Sequence, residues 1–302
     1  MSLELWIVGP LIGFIGMMSG GYWGVGCGWI VVPTMLILGF SPFEAVGIGL
    51  LQMAPSTLPT VIRQFPEIGW GPGSAGRCLA LPLGTGAMLT SLAGKSINAR
   101  LFNRFGAAPL SLMLCAVILA IAVQTLCSRT RCYDDELPPL TPRMGRIAFG
   151  TGLATGLLSS MLGVGGGILI RPLLTGGFRL PEYFTSRLVR LLVLLTTVTG
   201  GATYLVQSGK FDRTIFLASM LVAAGGMFGF PLGVKMHRIV YEAGYAQHIH
   251  KSFAFIAFAL LLNTVFNLAG LTALSRVSML LIGAGLTCYL AGFTLYARRI
   301  RR

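Results

Sequence analysis

The chain has 302 residues, of which 54% are hydrophobic and 11% are charged. Soluble domains carry about 25% charged residues, so this composition, with a mean hydropathy of +0.78, excludes an ordinary soluble protein and indicates a polytopic membrane protein. The net charge of +14 lies mostly in short loops and in the terminal run 298–302. That placement is typical of membrane topology and attraction to anionic lipid, and it argues against nucleic-acid binding.

Eleven apolar segments follow one another along the chain, and most approach the ~20 residues that a spanning helix needs. Segments 29–39 and 168–178 are shorter, with about 11 residues, or roughly 16 Å of helix, which is half a membrane. They predict broken or re-entrant helices. The eleven segments are 5–20, 29–39, 43–62, 77–94, 107–126, 146–162, 168–178, 184–206, 214–234, 253–271 and 277–297.

Each short segment follows a glycine-rich stretch. The spacing from Gly24 to Pro33 in the first stretch is identical to that from Gly163 to Pro172 in the second. Glycine costs roughly 1 kcal/mol of helix stability relative to alanine. Backbone groups that become free inside a membrane need protein, water or a ligand as partner, because lipid offers none. We therefore take the two stretches as the predicted site and the rest as scaffold.

The chain divides into two similar halves. A polar linker over 128–145 separates a first membrane repeat, 1–127, from a second, 146–271, and residues 272–302 form a last span with a basic tail. Pro42 falls opposite Pro181 and Thr57 opposite Thr196 at one offset. Internal duplication is common in secondary transporters. The predicted fold is all-α and polytopic, with two repeats of about four spans plus a C-terminal span, each repeat holding one glycine-broken or re-entrant helix.

Glycines also recur at helical spacing, as in Gly16/Gly20/Gly24, Gly152/Gly156 and Gly225/Gly229/Gly233. Such patterns predict closely packed membrane helices.

Three basic clusters indicate a topology: 95–104, 235–251 and the C-terminal arginines. All three lie on one side if each short segment enters and leaves on the same side, which gives about nine spans. This interpretation places the C-terminus in the cytoplasm of a cell with the protein in its inner membrane. It places both the N-terminus and the linker outside.

The two glycine-rich stretches and the prolines after them resemble a known family of membrane proteins. Gly156-x-x-Ser159, the run Gly163–Gly167 and Pro172-Leu173 resemble the sulfite exporter TauE/SafE family, and Gly24–Gly28 with Pro33 and Ala45-Val46-Gly47 is similar in the first half. The resemblance covers about residues 9–290 and implies an inner-membrane permease for small sulfur-containing anions such as sulfite or sulfonates. Cys27, Arg171 and the run 185–190 depart from the family pattern.

A helix that begins inside a membrane presents free N–H groups and the positive end of its dipole. These bind small oxyanions without a cationic side chain. The predicted donors are the amides of 26–28 and 165–167, with serine hydroxyls beside them. Alternatively, the glycines only allow helices to pack and the serines bond to their own helices. The predicted substrate site comprises Ser19, Gly24, Gly26, Gly28, Gln52, Ser159, Gly163, Gly165, Gly166, Gly167, Arg171, Arg187 and Arg190.

The three arginines of this set are unusual charges for membrane segments. An arginine at the centre of a span costs at least ~2.5 kcal/mol. Guanidinium suits planar contact with sulfonate or carboxylate, so an anion-attracting mouth is one interpretation. For Arg187 and Arg190, the other is snorkelling to the interface with Glu182 as partner. Gln52 is a further polar contact, and several threonines either line a pathway or bond to their own helices: Thr57, Thr60, Thr196, Thr197 and Thr199.

Other chemistry is scarce. Glu44, Glu182 and Asp212 lie at helix starts, where a carboxylate usually serves the dipole, and His237, His248 and His250 fall in or near a basic loop, where solvation is expected. We expect no catalytic residues, metal or cofactor. Cys127 and Cys132 would form a disulfide only if their loop faces an oxidising compartment.

The sequence favours export of the anion. An anion leaving a cell that is negative inside moves downhill by about 2.3 kcal/mol per charge per 100 mV, so no coupling ion is needed. The interpretations left open are a channel, a membrane-embedded enzyme, and a non-transporting assembly factor or receptor subunit. The expected partners are a small anion and the lipid bilayer.

Overall fold

The computed structural model describes residues 3–106, 108–127, 137, 139–207 and 210–301. Its helices are α1 (Leu3–Trp23), α2 (Gly28–Ile37), α3 (Pro42–Gln64), α4 (Leu81–Phe105), α5 (Ala108–Cys127), α6 (Pro142–Leu162), α7 (Gly167–Pro172), α8 (Glu182–Tyr204), α9 (Arg213–Glu242), α10 (Ala246–Leu268) and α11 (Thr272–Arg301). A 3-10 turn over Phe65–Ile68 follows α3. π-helical turns over Gly76–Ala80 and Leu173–Gly177 precede α4 and extend α7. Two short strands, β1 (Val206–Gln207) and β2 (Lys210–Phe211), pair antiparallel between α8 and α9.

The chain is a helical polytopic membrane protein. Five of the described stretches are long and apolar enough to cross a bilayer: Leu5–Trp23, Pro42–Ile68, Arg213–Glu242, Gln247–Leu268 and Thr272–Ile300.

Two helix starts are fixed by carboxylates. Ser41 and Glu44 form a capping box at the start of α3, in which each side chain accepts from the backbone N–H of the other residue. Asp212 caps α9 by accepting from the backbone of Thr214 and Ile215. The third predicted helix-start carboxylate, Glu182, instead forms an ion pair with Arg171.

Contacts between helices give their directions. Helices α1, α3 and α9 run parallel, and α4, α6 and α8 run parallel to one another and opposite to the first three. The contacts between parallel helices are Gly13 to Val222, Gly21 to Phe230, Gly47 to Ile215, Ser56 to Gly226, Gly84 to Leu195, Lys95 to Thr203, Gly86 to Phe149 and Asn98 to Met161. The contacts between the antiparallel helices α3 and α8 are Leu51 to Gly201 and Gln64 to Arg190.

These directions define two ends of the bundle. At the N-terminal end α1, α3 and α9 begin and α4 and α8 end; at the opposite end, which we call the basic end, α3 and α9 end and α4, α6 and α8 begin. The described arginines and lysines at the basic end are Arg63, Arg77, Arg143, Arg146, Arg179, Arg187, Lys235, Arg238, Lys251, Arg298, Arg299 and Arg301. Those at the N-terminal end are Lys95, Arg100, Arg104, Lys210, Arg213 and Arg276.

The topology predicted from charge is therefore wrong in two respects. The cluster 95–104 lies at the N-terminal end, because Lys95 donates to the backbone of Thr203 near the end of α8, whereas 235–251 and the C-terminal arginines lie at the basic end. The start of α1 and the start of α6, where the linker ends, also lie at opposite ends, since α6 begins beside the start of α4.

The reason is that the first helix of each half turns back. Val31 of α2 packs against Gly16 of α1, and α3 then starts at the end where α1 started. In the described chain, α1–α2 and α6–α7 with its π-helical turn are helical hairpins that return to the end they came from. Seven of the described helices pass between the ends, in place of the nine predicted spans: α3, α4, α5, α8, α9, α10 and α11.

Candidate functional site

The turn of each hairpin is a glycine-rich tip. The first tip, residues 24–28, joins α1 to α2, and the second, residues 163–167, joins α6 to α7. Gly24 and Gly26 have φ angles of 71° and 81°, and Gly163, Gly165 and Gly166 have φ angles of 73°, 80° and 72°. Other residues rarely adopt this left-handed conformation, so the glycines are required by the turn itself.

The two tips touch each other between α3 and α8. A Cβ atom on Gly28 would overlap the carbonyl oxygen of Gly163, and one on Gly167 would lie 2.6 Å from the carbonyl oxygen of Val25. Every residue of both tips is buried. The chain thus brings the two predicted glycine stretches into a single buried place.

Several backbone amides in and directly after the tips have no hydrogen-bond acceptor among the described residues: those of Gly24, Gly26, Gly28, Trp29, Val164, Gly165, Gly166 and Ile168. The amide of Gly167 is not free, because it donates to the carbonyl oxygen of Gly165 at 2.9 Å. Buried N–H groups are nearly always paired in proteins. The tips therefore offer a concentrated set of unused donors away from solvent.

Two side chains of α3 lie against the first tip. The amide of Cys27 points at Met53 Sδ at 3.4 Å, and sulfur is a weak acceptor. Gln52 Nε2 lies 2.8 Å from Cys27 Sγ and 3.1 Å from the carbonyl oxygen of Gly49, while its Oε1 is buried without a partner. Gln52 is therefore at the predicted position, and Met53 is a contact that the sequence interpretation missed.

The two predicted serines differ. Ser19 donates to the carbonyl oxygen of Gly16 at 2.6 Å, which is the structural alternative for this residue. Ser159 is fully buried and its hydroxyl has no partner. That hydroxyl lies 3.5 Å from the place where a Cβ atom of Gly166 would be.

Most of the threonines bond to their own helices, as Thr57 and Thr197 do. The hydroxyl of Thr196 also donates to the carbonyl oxygen of Gly165 at 3.0 Å, and the hydroxyl of Thr199 lies 2.6 Å from that of Ser91. Thr196 is thus the threonine that contacts a tip through a hydrogen bond. Thr60 is buried in the core.

The three arginines occupy different environments. Arg171 is buried and paired with Glu182, and its guanidinium lies 6.0 Å from the centre of the Phe253 ring. Arg190 is buried and donates to Gln64 Oε1 and to the carbonyl oxygen of Gly21, both at 3.1 Å. Arg187 is partly exposed and pairs with Glu67 at 2.8 Å. The snorkelling interpretation paired Glu182 with Arg187 or Arg190, and this is wrong because Glu182 pairs with Arg171.

The histidines were expected to be solvated, and this is wrong for His237, which is fully buried. Its Nδ1 lies 2.6 Å from the carbonyl oxygen of Tyr22. Positions 226, 229, 230, 233 and 237 of α9 are all buried. This helical spacing is the signal that would have placed His237 against α1. In the described part of the chain, no three His, Cys, Asp or Glu side chains come together as metal ligands. Cys132, the predicted disulfide partner of Cys127, lies outside the described residues.

The model of the sulfite exporter TauE/SafE family matches residues 9–264. The chain belongs to the sulfite exporter TauE/SafE family. Two curated relatives are similar to it over 76% of its length: the probable membrane transporter protein YunE of Bacillus subtilis, 23% identical with 87% of that protein covered, and the probable membrane transporter protein MJ0441 of Methanocaldococcus jannaschii, 24% identical with 85% covered. No solved structure matches the chain.

Membership of the TauE/SafE family makes this protein a membrane transporter. The match runs from residue 9 within α1 to residue 264 within α10 and includes both tips, so the site described above lies within the family region. The expectation of a non-enzyme agrees with a family of transporters.

Proposed function

We propose that the chain is a permease that exports small sulfur-containing oxyanions, such as sulfite or organosulfonates, through a site formed by the two glycine-rich tips. The observation that carries this proposal is the set of buried amides without acceptors in and directly after both tips, where the tips touch. An oxyanion needs several donors in a small volume, and these amides supply them without any side chain.

The electrostatics of the tips favour an anion. The first turn of α2 directs its N–H groups and the positive end of its dipole at the contact between the tips. The hydroxyl of Ser159 and the weakly held amide of Cys27 add two donors that an anion can recruit. Because the site is closed to water, each of these interactions is stronger than it would be in solvent.

We propose further that the two halves are inverted repeats and that transport uses alternating access. Contacts recur at the offset that relates Pro42 to Pro181. Gly86 faces Phe149 as Gly225 faces Pro10, and Asn98 approaches Met161 as His237 approaches Tyr22. Helices α1 and α6 enter from opposite ends, which supports an inverted arrangement. Rocking of one hairpin against the other would expose the buried tips to one end at a time.

The orientation follows from charge. The basic end carries most of the described arginines and lysines, and cytoplasmic loops are enriched in these residues. We therefore propose that the basic end, with the linker and the C-terminus, is cytoplasmic in the inner membrane. The N-terminus lies outside, and anions leave from the basic end toward the N-terminal end.

Thiol labelling of intact cells tests this orientation. In a cysteine-free chain, we expect Asn103→Cys at the N-terminal end to react with a membrane-impermeant maleimide from outside. Gly71→Cys at the basic end is expected to react only after permeabilisation, since both residues are exposed. The reverse pattern would invert the proposed orientation, and external labelling at both positions would contradict the assignment of the two ends.

Flux in proteoliposomes tests the proposed function. We expect purified protein to exchange labelled sulfite or a sulfonate across the membrane. Sulfate and a carboxylate in the same assay define selectivity. Trans-stimulation by internal unlabelled anion would support alternating access over a channel. A folded protein that moves none of the four anions would instead favour the non-transporting assembly factor.

A further inference from the structure

A second group of buried polar atoms lies between the tips and the basic end. It comprises Tyr22 at the end of α1, Arg171 in α7, and Glu182, Ser186 and Arg190 on α8, and we call it the arginine cluster. All five side chains are buried. On α8 the three members are spaced by four residues and so share one helix face.

The arginine cluster contains donors without partners. The buried atoms that find no hydrogen-bond partner in the described structure include Tyr22 Oη, Arg171 Nε and Nη1, Ser186 Oγ and Arg190 Nε. His237, whose Nδ1 lies against the Tyr22 carbonyl oxygen, holds Tyr22 in place beside them. Unsatisfied groups at this density need an explanation in a native structure.

The charge of the arginine cluster is unbalanced. It holds two guanidinium groups and one carboxylate, and the carboxylate of Glu182 is paired with Arg171. Arg190 has only neutral oxygens as partners, those of Gln64 and Gly21. The like charges of the two guanidinium groups repel each other. A buried positive charge without a counter-ion is costly, so the cluster lacks one negative charge.

The arginine cluster is continuous with the tips. Ser186 lies 3.3 Å from the Cβ position of Gly24, and Arg190 donates to the carbonyl oxygen of Gly21, three residues before the first tip. One turn further along α8, Val193 lies 2.7 Å from the Cβ position of Gly167 and 3.4 Å from that of Gly26. The same face of α8 therefore leads from the basic end to both tips.

The arginine cluster occurs in one half only. At the offset that relates Pro42 to Pro181, the first-half counterparts of Arg171, Glu182, Ser186 and Arg190 are Val32, Phe43, Gly47 and Leu51. The charge thus does not arise from the shared scaffold, and it marks the basic end as different from the N-terminal end.

We propose that the arginine cluster is a second anion-binding station, which receives an oxyanion from the basic end and passes it to the tips. This inference rests on the proposed function. The incoming anion takes the unused donors of Arg171 and Arg190 together with the hydroxyls of Tyr22 and Ser186. Glu182 competes with the anion for the positive charge of Arg171, because its carboxylate stays paired with that guanidinium. This competition keeps the station from holding the anion too tightly to release it.

Titration calorimetry of sulfite onto the purified full chain tests this station. Glu182→Gln removes the competitor, and we expect sulfite to bind about fivefold more tightly or better, whereas Arg190→Gln removes a charged donor and is expected to weaken binding about tenfold or more. Glu67→Gln is the matched control, because it removes the acid from the partly exposed pair with Arg187. It should leave the affinity within about twofold of wild type, as expected for an exposed pair.

The outcomes separate this proposal from the proposed function. Should Arg190→Gln fail to fold, Arg190→Lys keeps the charge but loses the fork of donors and is expected to weaken binding in the same direction. Equal sulfite affinity in wild type, Glu182→Gln and the folded Arg190 variant would overturn the station while leaving flux through the tips intact. Absence of both binding and flux in wild type, for every anion tested, would overturn the proposed function itself.

Discussion

Gly166→Ala is expected to abolish most anion flux while the protein remains folded. A Cβ atom at this position would lie 3.5 Å from Ser159 Oγ and 3.5 Å from Thr196 Oγ1, so the methyl group fits without a backbone clash. It would, however, fill the space beside the free amides of the second tip. We expect labelled-sulfite flux in proteoliposomes to fall about tenfold or more, which corresponds to roughly 1.4 kcal/mol.

The matched control for this substitution is Gly106→Ala. Gly106 has a φ angle of 73°, against 72° for Gly166, and no atom lies within 4 Å of its Cβ position. The ψ angle is −158° at Gly106 and −25° at Gly166, so Gly106→Ala carries the larger backbone strain, but only Gly166→Ala places a methyl group at the tips. Equal flux in the two variants would contradict a substrate site at the second tip.

Gly225→Val and Gly86→Val are expected to destabilise the fold strongly and to similar extents. A Cβ atom on Gly225 of α9 would overlap the carbonyl oxygen of Pro10 in α1, and one on Gly86 of α4 would lie 2.5 Å from the carbonyl oxygen of Phe149 in α6. Overpacking of this kind costs up to about 3 kcal/mol. We expect the unfolding midpoint in detergent to fall by roughly 6–12 °C in each variant.

Gly285→Val serves as the control, because it places the same side chain in helix α11 where no atom lies within 4 Å of the Cβ position. Its midpoint should stay close to that of wild type. A large fall for Gly225→Val beside no change for Gly86→Val would contradict the equivalence of the α1–α9 and α4–α6 contacts, and with it the proposed repeats.

Much of the local structure could be predicted from the sequence. The short segments 29–39 and 168–178 begin within one residue of α2 and α7, because dense glycine ends a helix and the following apolar run starts the next. The glycine patterns 16/20/24 and 225/229/233 predicted close packing, and several of these residues do meet the backbone of a neighbouring helix. These features depend on residues that are close in the sequence, and the spacing of residue types along the chain shows them directly.

The directions of the helices could not be predicted in the same way. Segment 5–20 is long enough to span a membrane, so neither its composition nor its length indicates that the chain turns back in α2. An error in the predicted direction of one segment reverses the predicted direction of every later helix. This error placed the cluster 95–104 at the wrong end. Charge bias averages over loops and cannot identify which single segment turns back.

The buried partners of the site also depend on tertiary structure. The pairing of Arg171 with Glu182, and the approach of Arg190 to Gly21 and Gln64, join residues whose contact no periodicity predicts. The spacing of 182, 186 and 190 does place them on one face of α8. Their meeting with Tyr22 requires α1 to end beside the start of α8.

The most direct test of the account is net sulfite flux through the wild-type protein under an imposed membrane potential. Proteoliposomes with a potassium gradient and valinomycin provide either sign of potential. We expect that labelled sulfite moves toward the positive side, that its direction reverses with the potential, and that Gly166→Ala abolishes this flux while Gly106→Ala keeps it. A folded wild-type protein that carries no anion under either potential would contradict the claim that the two glycine-rich tips form the binding site of an anion permease.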